Sequence, residues 1–555
     1  MKAAALLVLV AVLGLTAVQA EDPYLYFTWK VTYGTIAPLG VPQKGILIDG
    51  QFPGPNINCT TNNNIVINLF NDLDEPFLLS WNGIQQRKNS WQDGMPGTNC
   101  PIPRGETSLT TSRLRTRSAA SSTSRPWGCT RRRVASAGSA LTAASSSRSP
   151  STLPPATSPS SSATGTPPAT TSSSAASTAA GPSAARRRPD QRQSGNAAAA
   201  AAGGQAIFSM ESGKTYRYRI CNVGLKATLN FRIQGHAMKL VEMDGSHTVQ
   251  NVYDSLDVHV GQCYSVLVAA DQAPRGYFMV VSTRFSKRVL SAAAMIGYAG
   301  STAAPPAELP QAPVGWAWSL NQWRSFRWNL TASAARPNPQ GSYHYGSINI
   351  TRTIKLANSA GTVGGKLRYA INGATFQNPA TPLKLAEYFG ATGAEFKYDT
   401  ISDAPPKKLR SGAAAIRAEP IVLTSKFRDF VEIILENHER SIQSYHLDGY
   451  SFFPVGMGAG RWTPEKRRSY NLMDAVSRHT IQVYPRSWSA IMLTFDNAGM
   501  WNLRSEIWER HYLGQQLYIS VLSPAKSLRD EYNPPENLLL CGATKNLPLP
   551  PPYTI

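Results

Sequence analysis

An all-β protein built from several sandwich domains is what the sequence predicts, and three observations predict it. Gly and Pro number 42 and 40 in 555 residues, a frequency that favours turn-rich β architecture over helical bundles. Short apolar runs alternate with polar residues at period two along most of the chain. The chain is 42% hydrophobic, with 12 Trp and 22 Tyr, enough to fill several cores. At about 150 residues per domain, three to four domains fit this length.

Residues 1–20 read as a secretory signal peptide. Lys2 gives the charged start, Leu6 to Leu15 is apolar except at Gly14, and Val18 and Ala20 are small residues at cleavage spacing. A membrane span needs about 18 uninterrupted apolar residues, and the run is shorter. No membrane anchor is expected at the C-terminus either, because NLPLPPPYTI lacks a hydrophobic tail. Six cysteines and three Asn-x-Thr acceptors, Asn58, Asn329 and Asn349, agree with export into an oxidising compartment.

Residues 21–104 follow as strands and turns. In NIVINLF, Ile65, Ile67 and Leu69 alternate with Val66, Asn68 and Phe70. FPGP, Phe52 to Pro55, is a turn. Residues 205–305 have the same texture. TYRYRICNV puts Tyr216, Tyr218 and Ile220 on one face and Arg217 and Arg219 on the other, a half-buried strand. Cys221 and Cys263 fall on two such strands and could bridge or stay as buried thiols. Residues 306–345, rich in Pro, Ala and Trp, read as an interdomain connection. Residues 346–545 hold further strands and one short helix, Pro382 to Gly390, and 546–555 is a Pro-rich tail.

Residues 105–204 break the pattern. They hold 23 Ser and 12 Arg, with Glu106 and Asp190 as their acids, hence +10 of the chain's +21. They offer no period-two pattern and almost nothing to bury, which as a genuine segment implies disorder. Either this is a Ser/Arg/Pro-rich linker, or it is out-of-frame translation of a GC-rich reading frame. Its position favours the second, since it interrupts a β-domain and does not lie between domains. The arginine runs at Arg131 and Arg186 invite a nucleic-acid reading, which an exported chain makes untenable.

Seven motifs, in order, carry a resemblance: FPGP, SWNGI (Ser80–Ile84), WQDG (Trp91–Gly94), TNCPI (Thr98–Ile102), YHLDGYSFFPVG (Tyr445–Gly456), DNAGMWNLRSE (Asp496–Glu506) and LCG (Leu540–Gly542). Together they closely resemble the plant multicopper-oxidase superfamily, within it the ascorbate-oxidase-like branch known from pollen and from skewed-root-growth proteins. The resemblance implies three cupredoxin-like Greek-key β-sandwich domains, the first interrupted by the aberrant segment. It also implies a disulfide between Cys100 and Cys541.

Copper chemistry is what the family implies and what the residues put in doubt. Such oxidases need about ten imidazoles, a thiolate and a weak axial Met at fixed spacing. The H-x-H pair recurs because alternate strand residues face the same way. This chain has eight His and no H-x-H. Where active relatives have H-W-H-G it has Ser80, Trp81, Asn82 and Gly83. Where they have H-P-x-H-L-H-G-H it has Gln443 to Tyr450, keeping His446 alone. Where they have H-C-H-I and a later His it has Arg504, Ser505, Glu506, Ile507 and Arg510, and the axial position falls at Gln515. A guanidinium has no lone pair for a metal; Arg504 is expected to pair with Glu506 instead. His446 reads as a hydrogen-bonded remnant. His236, His247, His259, His344, His438, His479 and His511 read as packing or surface residues, and Trp81, Trp91 and Trp501 as core.

The function expected is therefore that of a secreted glycoprotein of the plant cell wall, without catalytic residues or copper centres, acting in wall growth or pollen. A net charge of +11 outside the aberrant segment favours acidic wall polysaccharide such as pectin as partner; no nucleic acid and a monomeric state are expected. One alternative is a copper-binding oxidoreductase of the ascorbate oxidase or laccase type with weak or altered activity, copper then being its cofactor. The other is a defective gene product whose first domain cannot close. Out-of-frame translation predicts that the other two frames across codons 105–204 encode aromatic, period-two strands. Low-complexity sequence in all three frames would refute it.

Overall fold

The computed structural model describes residues 24–36, 42–52, 54–55, 57, 59, 63–113, 140–148, 175–178, 208–306, 308–330, 344–407 and 416–554. The signal-like segment, Asn58, Cys129, Arg131 and Arg186 lie outside them. The described residues form five sheets. Strands are the dominant element among the described residues, as the sequence implies.

The first unit contains a four-stranded sheet in the order Gln43–Ile48, Tyr24–Ile36, Asn64–Asn71, Thr107–Arg113. Tyr24–Ile36 runs parallel to Asn64–Asn71, and the other pairs are antiparallel. Trp29, Val31, Ile65, Ile67, Leu69 and Trp81 fill its core. The second unit packs a seven-stranded sheet on a five-stranded one. Tyr216, Tyr218 and Ile220 point inward from Thr215–Asn222 while Arg217 and Arg219 are only half-buried, the alternation that a one-sided strand requires.

The third unit also pairs seven strands with five. Its strand Phe430–Asn437 is buried at every position. Val431, Ile433 and Leu435 enter the third core, whereas Phe430 and Ile434 enter the cluster continuous with the second. Period two thus sends one strand's side chains to two buried sides, the second of which also carries the buried, ion-paired Glu432 and Glu436. Trp488, Ala490 and Met492 on the neighbouring strand join the same shared cluster.

Three features differ from the sequence reading. Residues 105–204, expected to be without strands, contribute Thr107–Arg113, Ala140–Arg148 and Ala175–Thr178. The second of these pairs with Thr215–Asn222 and the third extends it. An open sheet edge presents unpaired backbone N–H and C=O groups that another strand can pair with whatever its side chains are. The connection 306–345 contains a helix, Trp316–Ser325, with Ser319 and Gln322 on its buried side. Those buried positions are polar, so the hydrophobic pattern did not reveal the helix. Cys221 and Cys263 stand directly opposite in register and are disulfide-bonded, resolving the open alternative; Cys59 is free and half-buried.

The chain's two ends are joined. Cys100 is disulfide-bonded to Cys541 across 441 residues. Trp91 and Leu385 pack around this bridge with Leu538, Leu539 and Leu540, and Trp91 Nε1 donates to the carbonyl of Tyr532 at 3.0 Å. Beside it the buried ammonium of Lys384 pairs with Glu531 at 2.7 Å and Glu387 at 3.3 Å. The helix expected at Pro382 to Gly390 is Leu383–Tyr388. Replacing both Cys100 and Cys541 by Ser should lower stability by about 4–5 kcal/mol, through the entropy of the opened denatured chain. Urea unfolding without reductant measures this, and an unchanged midpoint would contradict it.

Candidate functional site

Most of the positions matched to copper ligands converge in two buried clusters, both in the third unit and its contact with the first; Tyr450 stands apart, its hydroxyl donating to the Asn497 carbonyl. The adjacent strands Gln443–Leu447, Gly499–Ser505 and Gln516–Leu522 build them. His446 and Arg504 are directly opposite, as are Tyr445 and Ser505. Alternation therefore puts His446, Asp448, Arg504 and Glu506 together, with Gln443 and Ser505 in the second cluster.

One cluster gathers Gln443, Ser505, Arg510 and Gln515, which include the positions matched to the thiolate and the axial Met. Gln515 Nε2 donates to Gln443 Oε1 at 3.0 Å and to the Tyr445 hydroxyl at 2.8 Å. Arg510 Nη1 donates to Gln515 Oε1 at 3.1 Å and to Glu439 Oε1 at 3.0 Å. Ser505 N–H donates to the Gln515 carbonyl at 3.0 Å. Gln443 Nε2 reaches Ser441 Oγ at 3.2 Å. Burial lowers the affinity of Arg510 for its proton, but the Glu439 carboxylate more than restores it, so the guanidinium stays charged.

The other cluster is ionic. Arg504 Nε lies 3.2 Å from Glu506 Oε1, as expected, and its Nη1 donates to Asp448 Oδ2. Its Nη2 donates to Asn82 Oδ1 at 2.5 Å, and Asn82 Nδ2 donates to Glu506 Oε2 at 3.3 Å. His446 Nε2 lies 2.9 Å from Asp448 Oδ1, with its Nδ1 2.9 Å from Thr480 Oγ1. Burial would raise the Asp448 carboxyl, but Arg504 and then His446 take it down to about 2. Asp93 is pushed well above the ordinary carboxylate range, by burial first and then by the neighbouring Asp448 charge.

His446 is thus a hydrogen-bonded group, as expected. His479, read from the sequence as a packing residue, is buried against it, Nδ1 to Nδ1 3.3 Å. Burial, chiefly, pulls the His479 imidazole down to about 4. Its place was not legible because a contact between separate strands leaves no spacing in the sequence. Asp93 did have a signal, since it sits inside the quoted WQDG motif. Of the glycosylation acceptors, Asn349 is exposed and Asn329 half-buried. Trp81, Trp91 and Trp501 are buried, as expected.

These residues do not fit copper. The first cluster presents two carboxamides, a hydroxyl and a guanidinium, which satisfy one another. The second places a guanidinium between the carboxylates. Copper sites of this kind need imidazole and thiolate donors, and a guanidinium offers no lone pair. Among the described residues no group of three or more His, Cys, Asp or Glu is arranged to hold a metal ion. What the arrangement does provide is a set of charge-assisted bonds across units, since Asn82 belongs to the first and Arg504 to the third.

Comparison with known proteins agrees with this architecture. The family described as multicopper oxidase matches residues 30–122, 161–301 and 380–527. The chain is 56% identical over 540 residues to the L-ascorbate oxidase homolog of Nicotiana tabacum, covering 97% of this chain and 96% of the relative. It is 40% identical over 560 residues to the monocopper oxidase-like protein SKU5 of Arabidopsis thaliana, covering 98% and 94%. Among solved structures it is similar to the laccase from Botrytis aclada, with a TM-score of 0.60 at 18% identity over 91% and 89% of the two chains. It is likewise similar to Fet3p, with a TM-score of 0.59 at 16% identity over 90% of each.

Arg504→Met removes the cation from between two buried carboxylates. The expected loss is about 3–5 kcal/mol, read as a lower urea midpoint; wild-type stability would refute the ionic clamp. Asp448 has its folded value below the ordinary carboxylate range, so its contribution is present above that range and is lost as pH falls towards 2.

Proposed function

Because the chain belongs to the multicopper-oxidase family, we propose that it is an exported glycoprotein of that fold which works without copper centres, as a binding or structural protein of the plant cell wall. The observation that carries this is the pair of buried clusters: the family's ligand positions hold groups that bond to each other and leave no electron-transfer thiolate. Fold alone does not establish oxidase activity.

Export is supported by the signal-like residues 1–20, two disulfides and the exposed acceptor Asn349. We take the domains as 21–104, 205–305 and 346–545, with 105–204 joining the first two and adding strands to both, and 306–345 as the second connection. The plant relatives support a wall setting, and the resemblance to the pollen branch gives wall growth or pollen as its context. The positive charge outside 105–204 supports attraction to de-esterified pectin.

The adjacent imidazoles of His446 and His479 are the one feature that favours the other reading, an oxidoreductase with copper at an unusual site. Metal analysis, the blue-copper absorbance and oxygen uptake on purified protein distinguish the two. Copper-free, colourless, inactive protein retained on de-esterified pectin at low salt is expected. Stoichiometric copper with oxygen uptake would replace this reading, and passage straight through the pectin column would remove its polysaccharide part.

A further inference from the structure

Two adjoining cavities of about 220 and 250 Å³ lie between the linker helix Trp316–Ser325 and the third unit's strand Phe453–Ala459. Trp323, Arg324 and Met457 line both. Together they approach the lower part of the size range of ligand clefts, roughly 300–1,000 Å³. Their walls include Arg324, Arg327 and Arg478 and no carboxylate.

Arg478 lines the first cavity. It is 2% exposed, and its Nε donates to Asp244 Oδ2 at 2.9 Å. Its Nη1 and Nη2 have no hydrogen-bond partner among the described residues. Both atoms are themselves inaccessible, so Arg478 belongs to the packing behind the cavity and not to its open surface. Arg327 is partly neutralised by Asp474 at 3.3 Å and Arg478 by the buried Asp244 at 2.9 Å, which leaves Arg324 for an anion. At the rim Lys466 Nζ donates to the carbonyl of Ala459 at 3.1 Å, a second lining residue, and Arg486 sits between the lining residues Pro485 and Ser487.

The second cavity is mainly apolar, with Leu320, Met457 and the rings of Trp316, Trp323 and Tyr484 in its wall. A bare anion has no use for that surface. A pyranose does, because its C–H face stacks on an indole while its substituents remain free to bond. A uronic acid adds a planar carboxylate that matches a guanidinium fork.

We propose that this groove binds the carboxylated sugar rings of a uronic-acid oligosaccharide. The proposal rests on the polysaccharide reading and gives it a site. The test titrates trigalacturonate into the intact protein at physiological salt, where long-range attraction between exposed charges is screened, and follows heat or tryptophan fluorescence. Binding is expected. The exposed-site variant Arg324→Gln should weaken it about ten-fold or more with melting unchanged, and Trp323→Leu should weaken it too. The fully methyl-esterified trimer should not bind.

Equal affinity of the wild type and Arg324→Gln for trigalacturonate would overturn the groove while leaving pectin retention intact. Absence of both trimer binding and pectin retention would overturn both. Inorganic phosphate competing as well as the trimer at equal ionic strength would reduce the groove to a simple anion site and overturn the sugar assignment.

Discussion

A guanidinium held between two carboxylates in the interior is the interaction on which the contact between the first and third units depends. Arg504, Asp448 and Glu506 are each almost inaccessible, and Asn82 closes the ring from the other unit. Taking such charges from water is expensive, and only near-complete mutual satisfaction offsets it. In a copper-holding relative a metal would draw strands together at such a place. Here the strands meet through hydrogen bonds and ion pairs, which require no thiolate and no spare imidazole. The neighbouring amide cluster of Gln443 and Gln515 follows the same rule: each buried donor finds an acceptor in the cluster.

The third unit supplies the rigidity that this arrangement needs. Its strand Phe430–Asn437 is buried on both faces, so it cannot slip by one residue without exchanging the contents of two cores. The ligand positions lie on the companion sheet, whose strands Gln443–Leu447 and Gly499–Ser505 are equally buried. A polar network in that setting inherits fixed geometry from the apolar packing around it.

Much of this was legible in the sequence. Alternation in TYRYRICNV and NIVINLF located strands because one-sided burial leaves a period-two trace. The ordered motifs located the family and the positions of lost ligands, and Arg504 beside Glu506 announced an ion pair. The linker helix was not legible, because the residues it buries, Ser319 and Gln322, are polar and the segment around it is rich in Pro and Ala. The strands within 105–204 were not legible, because edge pairing uses backbone groups that every residue carries. The partnership of His446 with His479 depends on tertiary register, which no local pattern encodes.

The bridge between Cys100 and Cys541 has a consequence for biogenesis. Its two halves lie 441 residues apart, so the loop can close only after all of the intervening chain has been made. Throughout synthesis Cys100 therefore waits as an unpaired sulfur, with Cys59 as a rival in the same unit. Burial holds the Cys59 thiol up, away from its reactive thiolate. Once that unit has folded the rival is a poor nucleophile, and Cys541 meets Cys100 with little competition from it.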